Sequence, residues 1–367
     1  MNAESKLKIL FLGDFNSPNT NSWIEGLIDA GVEVFKASAR ANGNDDIHPI
    51  GPVGFPARIR MLMGGNDVKK LIEKLNPDLI IAYRVTSYGY LAARASFHPL
   101  VIGAQNEQII FLRKRSWWRE KLLTYFAQYA IKKADLIHAW SSNVAEGLKK
   151  FGASENQILV MHRGISDDIF TPPKTRIVDL KRPKIVSTRS LYPEYKIDDL
   201  LKAFKIFCAK YPDALFTIIG EGSEKDALKK LAKSLGISKN VKFTGKLKQA
   251  EIAMILADSD IYVSLIRTEG LSSSLLEACA CGVLPLVADI PASRAVVEPD
   301  KNGMLIQDGT IEDISQILCD AFENIELRKK CADLNPEIIR KKFSRKINIE
   351  RFVSNYRELV EKSKDQV

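Results

Sequence analysis

The chain lacks most of the features that would commit it to a metal, a redox group or a membrane span. Its five cysteines are odd in number, scattered and free of any CxxC pair, so they build neither a disulfide framework nor a zinc module. Cys279, Cys281 and Cys319 sit in apolar, helix-like surroundings and read as buried thiols of a reduced, cytoplasmic protein. The four histidines, His48, His98, His138 and His162, show no metal-ligand spacing. No apolar run approaches the roughly 18 residues that span a bilayer. The first run, Ile9 to Leu12, is too short for a signal-peptide core and gives way to Gly13-Asp14. There is no Gly-Lys-Ser/Thr loop, which excludes a P-loop enzyme, and "GEGSEKD" from Gly220 lacks the third glycine of a dinucleotide fingerprint. "DSD" at Asp258 to Asp260 matches a short Asp-x-Asp metal motif, but it precedes a strand-like run instead of ending one.

What remains is an ordinary globular composition of some size. The 367 residues are 46% hydrophobic and 27% charged, too many for one core and enough for two domains. Lys and Arg number 54 against 45 acids, a net charge of +9, which suits an anionic partner without choosing among nucleotide phosphates, acidic lipid and nucleic acid.

Strands alternate with helices along both halves. "LKILFLGDFNSPNTNSWIEGLIDAGVEVFKAS" reads strand, polar loop, helix, Gly31, strand. "DVKKLIEKLNPDLIIAYR" repeats helix then strand, with Asn76-Pro77 as the break, and "LVIGAQ", "ADLIHAWS" and "QILVMHRG" read as further strands. Proline and charge take over in "TPPKTRIVDLKRP", Thr171 to Pro183, which reads as a linker. A second series follows, from "KIVSTRS" through "LFTIIGEG", "VKFTG" and "IYVSLI" to "LPLVAD". Such alternation predicts two parallel sheets, with ligands at the C-terminal ends of the strands in a crevice. The tail "FSRKINIERFVSNYRELVEKS" reads as a charged amphipathic helix that returns to the first domain.

The most informative stretch is "TEGLSSSLLEACACG", Thr268 to Gly282. One reading is local: Ser274 to Glu277 fits a capping box, Gly282 ends the helix and Pro285 stops it. That leaves Glu269-Gly270 unexplained. An acid beside a glycine, directly after the strand "IYVSLI", stands where a sheet opens toward ligand. Gly270 lets backbone approach that ligand closely. The N–H groups of Leu271 to Ser274 at a helix start would then receive an anion.

Glu269, seven residues, Glu277, then "LLEACACG" and "LPLVAD", resembles the signature of retaining GT-B glycosyltransferases of glycosyltransferase family 4. The resemblance covers nearly the whole chain and is strongest in the second half. "STRSLYPEYKIDDLLKAF" looks like that family's Arg and Lys segment, "TIIGEGSEKDALKKLA" like its Gly-acid-Gly segment and "VKFTGKL" like its base-pocket strand and turn. "HRGISDDIF" resembles the interdomain crossover, with Arg163 where asparagine is usual. The resemblance implies two Rossmann-like domains facing across a crevice: residues 1–175 for the acceptor, 176–345 for the nucleotide sugar, and a helix, 346–367, packing back on the first domain. It implies that Arg189 and Lys196 hold the donor diphosphate, Glu269 the donor sugar hydroxyls and Glu277 the ribose hydroxyls. Gly270, Leu271 and Ser272 would offer backbone N–H groups, and Gly13 would serve the donor from the first domain. No metal or cofactor is expected, since cations and a helix N-terminus can stabilise the charge that builds on the leaving diphosphate. The donor would be a nucleotide-diphosphate hexose, a UDP-sugar in preference to a GDP-sugar, and the acceptor a hydroxyl on a lipid-linked or polysaccharide glycan.

The first half departs from that family. A lone Gly13 in "GDFNSPNTNSW" replaces the usual Gly-Gly pair, and Gln105-Asn106 stand where many relatives carry a histidine near the acceptor. "FLRKRSWWREKLLTYFAQYAIKK" sets Arg113, Lys114 and Arg115 beside Trp117 and Trp118 ahead of an apolar helix. That combination suits the inner face of a membrane, and equally an ordinary surface helix with a core-facing side. No nucleic-acid motif accompanies it. Two rival readings stay open: a nucleotide-sugar epimerase on the same fold, and a non-catalytic nucleotide-sugar binding protein.

Overall fold

The computed structural model describes residues 6–41, 45–105, 116–175 and 179–365. The chain forms two compact units, residues 1–163 with 345–367, and residues 164–344. The division falls before the Pro-rich stretch expected as the linker. Thr171 to Pro183 lies inside the second unit, because the chain is already committed there: Ile165 bridges to Ser344 and donates its N–H to the Phe343 carbonyl (2.9 Å), and Phe170 is buried in the second unit's core.

In the first unit, seven parallel strands run in the order β3-β2-β1-β4-β5-β6-β7. They are β1 (Lys8–Leu12), β2 (Glu33–Ser38), β3 (Ile47–Pro49), β4 (Leu79–Tyr83), β5 (Leu100–Ala104), β6 (Leu136–Ala139) and β7 (Ile158–Val160). The central strands β4 and β5, and β1 after Lys8, carry no charged residue and are buried at every position, as burial on both faces requires. Leu10, Leu12, Ile80, Ala82 and Ile102 enter one core, and Ile9, Phe11, Leu79, Ile81 and Val101 the other. The second core is aromatic: Trp23 packs edge-on against Phe11, Tyr83, His138, Trp140 and Phe352. Phe352 belongs to the tail helix Arg345–Lys364, whose Ile349, Val353, Tyr356 and Val360 complete this core. The break expected at Asn76-Pro77 is a left-handed residue, Asn76, closing the helix Gly65–Leu75.

The second unit is a six-stranded parallel sheet in the order β10-β9-β8-β11-β12-β13. Its strands are β8 (Lys184–Ser187), β9 (Leu215–Ile219), β10 (Val241–Gly245), β11 (Ile261–Ser264), β12 (Leu284–Ala288) and β13 (Met304–Ile306). Ile185, Ile261, Val263 and Leu284 face one core, and Val186, Tyr262 and Val287 the other, with the helix Ser273–Ala280. All strands in both sheets point the same way within their sheet, so each sheet has a single edge at which loops leave the C-terminal ends. These are two Rossmann-like α/β units of the kind the sequence implies. Among the described residues no helix is long and apolar enough to cross a membrane.

Candidate active site

Arg189, Glu269 and Ser272, singled out in the second half, come together at the C-terminal edge of the second sheet. β8 ends at Ser187 and hands on to Thr188 and Arg189. β11 ends at Ser264 and leads through Arg267 and Glu269 to the helix Ser273–Ala280. Arg189 is buried. Its guanidinium donates to a Glu269 carboxylate oxygen at 2.6 Å and to Ser272 Oγ, and it lies 4.7 Å from the Tyr195 ring centroid. Burial works against its charge. The Glu269 carboxylate, with Tyr262 and Tyr195, outweighs burial and holds the guanidinium protonated. Lys196, next to Tyr195, is exposed and takes a left-handed backbone (φ 51°) as the N-cap of the helix Ile197–Lys210. A non-glycine residue there costs about 1–2 kcal/mol, a strain that local structure must hold in place.

The capping box expected at Ser274–Glu277 does not form. Ser272 is the N-cap, with extended backbone, and its Oγ accepts from Leu275 N–H at 3.4 Å. The helix therefore starts two residues earlier than the box requires. Ser274 Oγ instead donates to the Thr188 carbonyl (2.9 Å), tying the helix start to the end of β8. Glu277 falls beyond the first turn, so it does not sit at the third helical position where a capping box needs its acid. Among the described residues the backbone N–H groups of Gly270 through Ser274 take no acceptor, which leaves the anion-binding end of the helix available. At the far end Gly282 adopts φ 70°, and its N–H reaches the Cys279 carbonyl.

Glycines 220 and 222 turn out to be a packing device. A Cβ on Gly220 would meet the Arg189 carbonyl oxygen at 2.2 Å, and one on Gly222 the Leu191 carbonyl oxygen at 2.1 Å. The turn after β9 is thus pressed onto the backbone that carries Arg189, sealed by Leu191 N–H to the Glu221 carbonyl (3.0 Å) and Glu224 N–H to the Leu191 carbonyl (3.0 Å).

The structure adds residues that motif reading missed. Tyr262 sits on β11 opposite Val186. Burial raises its hydroxyl pKa, the charge of Arg189 opposes that, and those of Glu269 and Glu277 add to it. A tyrosine inside the apolar run "IYVSLI" was the available signal. Thr188 Oγ1, Ser264 Oγ and Arg189 Nε are buried with no hydrogen-bond partner among the described residues. Buried polar atoms are normally satisfied, so such a cluster at a strand edge is what bound ligand oxygens would complete. Arg267 holds the turn itself. It donates to the Ile306 and Gln307 carbonyls (3.0 and 2.7 Å) and pairs with Asp308 (3.1 Å).

Asp258 and Asp260 lie at the opposite, N-terminal edge of β11. Asp260 accepts from Lys184 N–H (2.8 Å) and pairs with the buried Arg328, while Asp258 pairs with Lys184 Nζ (2.6 Å). Both have structural work to do, away from the Glu269 turn.

In the first unit, Gly13 follows β1. Its N–H already donates to the Ala37 carbonyl (3.2 Å), and a Cβ there would press on Phe11 and Thr20. Gln105 follows β5, and its Oε1 accepts from Asn19 Nδ2 (3.2 Å) and from the Tyr83 hydroxyl. Asn19 Oδ1 in turn accepts from Arg163 (2.9 Å), which also donates to Ser22 Oγ (2.7 Å). Asn106, Arg113, Lys114 and Arg115 lie outside the described residues. The helix Trp117–Lys133 begins just after them. Only Ala127, Ala130 and Ile131 are buried, while Trp117 and Trp118 are 70% and 58% exposed, capped by Lys121 and Arg119. The core-facing reading of this helix therefore holds for its second half alone.

Comparison with known proteins agrees with the two-unit architecture. The family model described as Glycosyl transferases group 1 matches residues 172–336, and that described as Glycosyltransferase Family 4 matches residues 21–169. An uncharacterised glycosyltransferase of Methanocaldococcus jannaschii is 26% identical over 304 residues, covering 79% of this chain and 77% of its own. A GDP-mannose-dependent monoacylated alpha-(1-6)-phosphatidylinositol monomannoside mannosyltransferase of Corynebacterium glutamicum is 27% identical over 55% of this chain, which spans only 53% of that relative. Among solved structures, Anabaena HepE in complex with UDP and glucose superposes with a TM-score of 0.75 at 19% identity, over 95% of this chain and 98% of its own. A glycosyltransferase of Rickettsia africae superposes at 0.77 and 17% identity, over 97% and 99%.

Proposed function

From the premise that the chain belongs to the group 1, family 4 glycosyltransferases of GT-B fold, we propose that it is a metal-independent, retaining hexosyltransferase. It takes its sugar from a nucleotide diphosphate, UDP in preference to GDP, and transfers it to a hydroxyl of a lipid-linked or polysaccharide acceptor. The observation that carries this reading is the buried Arg189–Glu269–Ser272 constellation beneath a helix N-terminus with free amides. Arg189 and Lys196 neutralise the diphosphate as the glycosidic bond breaks. The amides of Gly270, Leu271 and Ser272 receive oxygens of phosphate and sugar. Glu269 holds sugar hydroxyls and Glu277 the ribose hydroxyls. Removing one such donor from a preorganised site costs roughly 3–4 kcal/mol of barrier.

UDP is favoured because UDP occupies the Anabaena neighbour, while GDP-mannose-dependent relatives keep GDP as the alternative. Relatives acting on phosphatidylinositol mannosides and making monoglucosyldiacylglycerol support a lipid acceptor. The exposed Trp117 and Trp118 support attachment of the first unit to an anionic membrane face, with Arg113, Lys114 and Arg115 just ahead of them. Gln105 and Asn106 are assigned to the acceptor side and Gly13 to the donor side.

Acceptor-dependent release of nucleoside diphosphate tests the reading. Release that survives EDTA is expected. Complete loss on chelation, restored by magnesium or manganese, overturns the metal-free mechanism. Nucleotide-sugar binding with no release on any acceptor would leave a binding protein, and interconversion of two nucleotide sugars would identify an epimerase.

A further inference from the structure

The stretch from Ile47 to Asn66, "IHPIGPVGFPARIRMLMGGN", contains no acidic residue and played no part in the motif reading. It forms β3, a loop and the short helix Ala57–Met63. Ile50 is buried and Met61 packs on the core, but five of its large apolar side chains point outward: Val53 is 78% exposed and Met63 60%, with Phe55, Ile59 and Leu62 also exposed. Single exposed apolar residues are ordinary, but five within eleven residues make a patch. Arg94 and Tyr90 link the patch to the tryptophan helix. Arg94 donates to the Leu62 carbonyl (2.6 Å) and lies against the Tyr90 ring, and Tyr90 stacks on Phe126 and meets Tyr125.

Beside it lies a cleft of about 560 Å³ lined by Asn16, Ala39, Arg40, Phe55, Arg58 and Arg60 among others. Asn16 follows β1, and Ala39 and Arg40 follow β2, so the cleft opens at the ligand-binding edge of the sheet. Arg40 pairs with Asp14 (2.6 Å), whereas exposed Arg58 makes no ion pair among the described residues. Arg60 is the more telling group. It is 5% exposed and donates from Nε to the Ile50 carbonyl (3.0 Å), while its Nη2 has no partner and no carboxylate pairs with it among the described residues. A buried cation without a counter-ion is expensive unless an anion comes to it.

We propose that this cleft seats the phosphate headgroup of a membrane lipid, with the Val53–Met63 patch lying in the bilayer surface beneath it. The occupant is chosen by chemistry: guanidinium groups rim the cleft, and an apolar apron free of acids adjoins it, which matches an anionic headgroup on acyl chains. The site rests on the lipid-acceptor reading for its choice of a lipid, but not on the tryptophan helix.

The test places a reporter in the patch. Phe55→Trp is made in a chain carrying Trp117→Phe and Trp118→Phe, and mixed with phosphatidylcholine–phosphatidylglycerol vesicles bearing brominated chains. Trp23 and Trp140 are buried and give a constant background. Quenching of the new emission is expected on these vesicles and little on phosphatidylcholine alone. Adding Arg58→Ser should weaken partitioning by about fivefold, the worth of one cation near an anionic surface, with the melting temperature unchanged. If the Phe55→Trp reporter stays in water while wild-type Trp117 and Trp118 are quenched, the headgroup site falls and the tryptophan helix alone docks. If neither is quenched, both fall. A shift of the reporter by inorganic phosphate without vesicles would indicate a soluble phosphorylated ligand and overturn the proposal. So would light scattering that shows a dimer broken by Val53→Ser with Met63→Ser.

Discussion

Arg189 is the residue on which the proposed chemistry turns, and its environment makes the consequences of change specific. It is buried against Glu269, so deleting either partner leaves the other uncompensated. Arg189→Met is expected to cost about 3–5 kcal/mol of second-unit stability and to abolish binding of UDP, read by denaturant unfolding and calorimetry. Glu269→Gln behaves differently. It keeps an acceptor for the guanidinium but removes the negative charge that competes with a diphosphate. Bare UDP should bind as tightly as before or more so, while turnover falls roughly a hundredfold. Glu277→Ala should show the reverse, with weaker UDP binding because a ribose partner is gone. Equal, wild-type behaviour in both acid variants would remove them from the site. In the first unit, His138 carries a pH prediction. Burial lowers its pKa to about 4, and its ring nitrogens face the Tyr356 hydroxyl (3.0 Å) and the Met161 carbonyl (2.8 Å). Unfolded, it titrates at the ordinary value of 6.5. Between these values only the unfolded chain binds the proton, so stability is intact above about pH 6.5 and falls by about 1.4 kcal/mol per unit as pH drops toward 4. His162, also buried and lowered by burial, acts in the same direction. Urea midpoints of the first unit should fall from pH 7 to pH 5, and His138→Gln should flatten that slope.

At the scale of elements, the turn after β9 matters because it is pressed onto the backbone of Arg189 to Leu191. Gly220 has φ 153° and no room for a Cβ. Gly220→Ala is expected to cost roughly 1–3 kcal/mol and to displace Arg189, weakening UDP binding without touching any ligand group. Gly236→Ala makes the control, since a Cβ there meets nothing and only the φ of 70° is strained. Stability lost equally in both, with UDP binding unchanged in Gly220→Ala, would show that the turn does not position Arg189. These elements also show what was legible in the sequence. That Arg189, Glu269 and Ser272 come together was readable because they lie on turns leaving strands that announce themselves by continuous apolar runs. The helix start was misplaced by two residues because three consecutive serines offer three caps, and only the packing of Ser274 on Thr188 chooses Ser272. Tyr262 was hidden because its meaning depends on strand register: opposite Val186 it reaches Arg189, and in the sequence it is one more bulky residue in a buried strand. β3 was missed because three residues ending in proline carry no periodicity, and the helix Ala57–Met63 because it is short and of its large apolar residues only Met61 packs on a core.

At the scale of the molecule, the first unit is discontinuous in sequence, closed by a segment that returns after the whole second unit has been made. The tail helix Arg345–Lys364 buries Ile349, Phe352, Val353, Tyr356 and Val360 against Trp23 and the β-sheet. Each such side chain contributes about 1.5–3 kcal/mol, so together they are worth on the order of 10 kcal/mol, comparable to the whole stability of a domain of this size. The helix also fastens the polar side of that core. Asn348 donates to the His162 carbonyl (2.9 Å), Tyr356 meets His138, and Arg345 donates to the same Ser22 Oγ as Arg163 (3.1 Å). The second unit closes on its own, with Ile165 and Ser344 bridged and Ser344 Oγ donating to Asp167 (2.9 Å). Truncation after Ser344 should therefore unfold the first unit selectively. Calorimetry is expected to lose one transition and keep the other, proteolysis to yield a resistant fragment near residues 164–344, and UDP to stabilise that fragment still, because Arg189, Glu269 and Glu277 all lie within it. Two intact transitions in the truncated chain would show that the tail helix is an accessory and not part of the first core. Loss of both would show that the units do not fold independently.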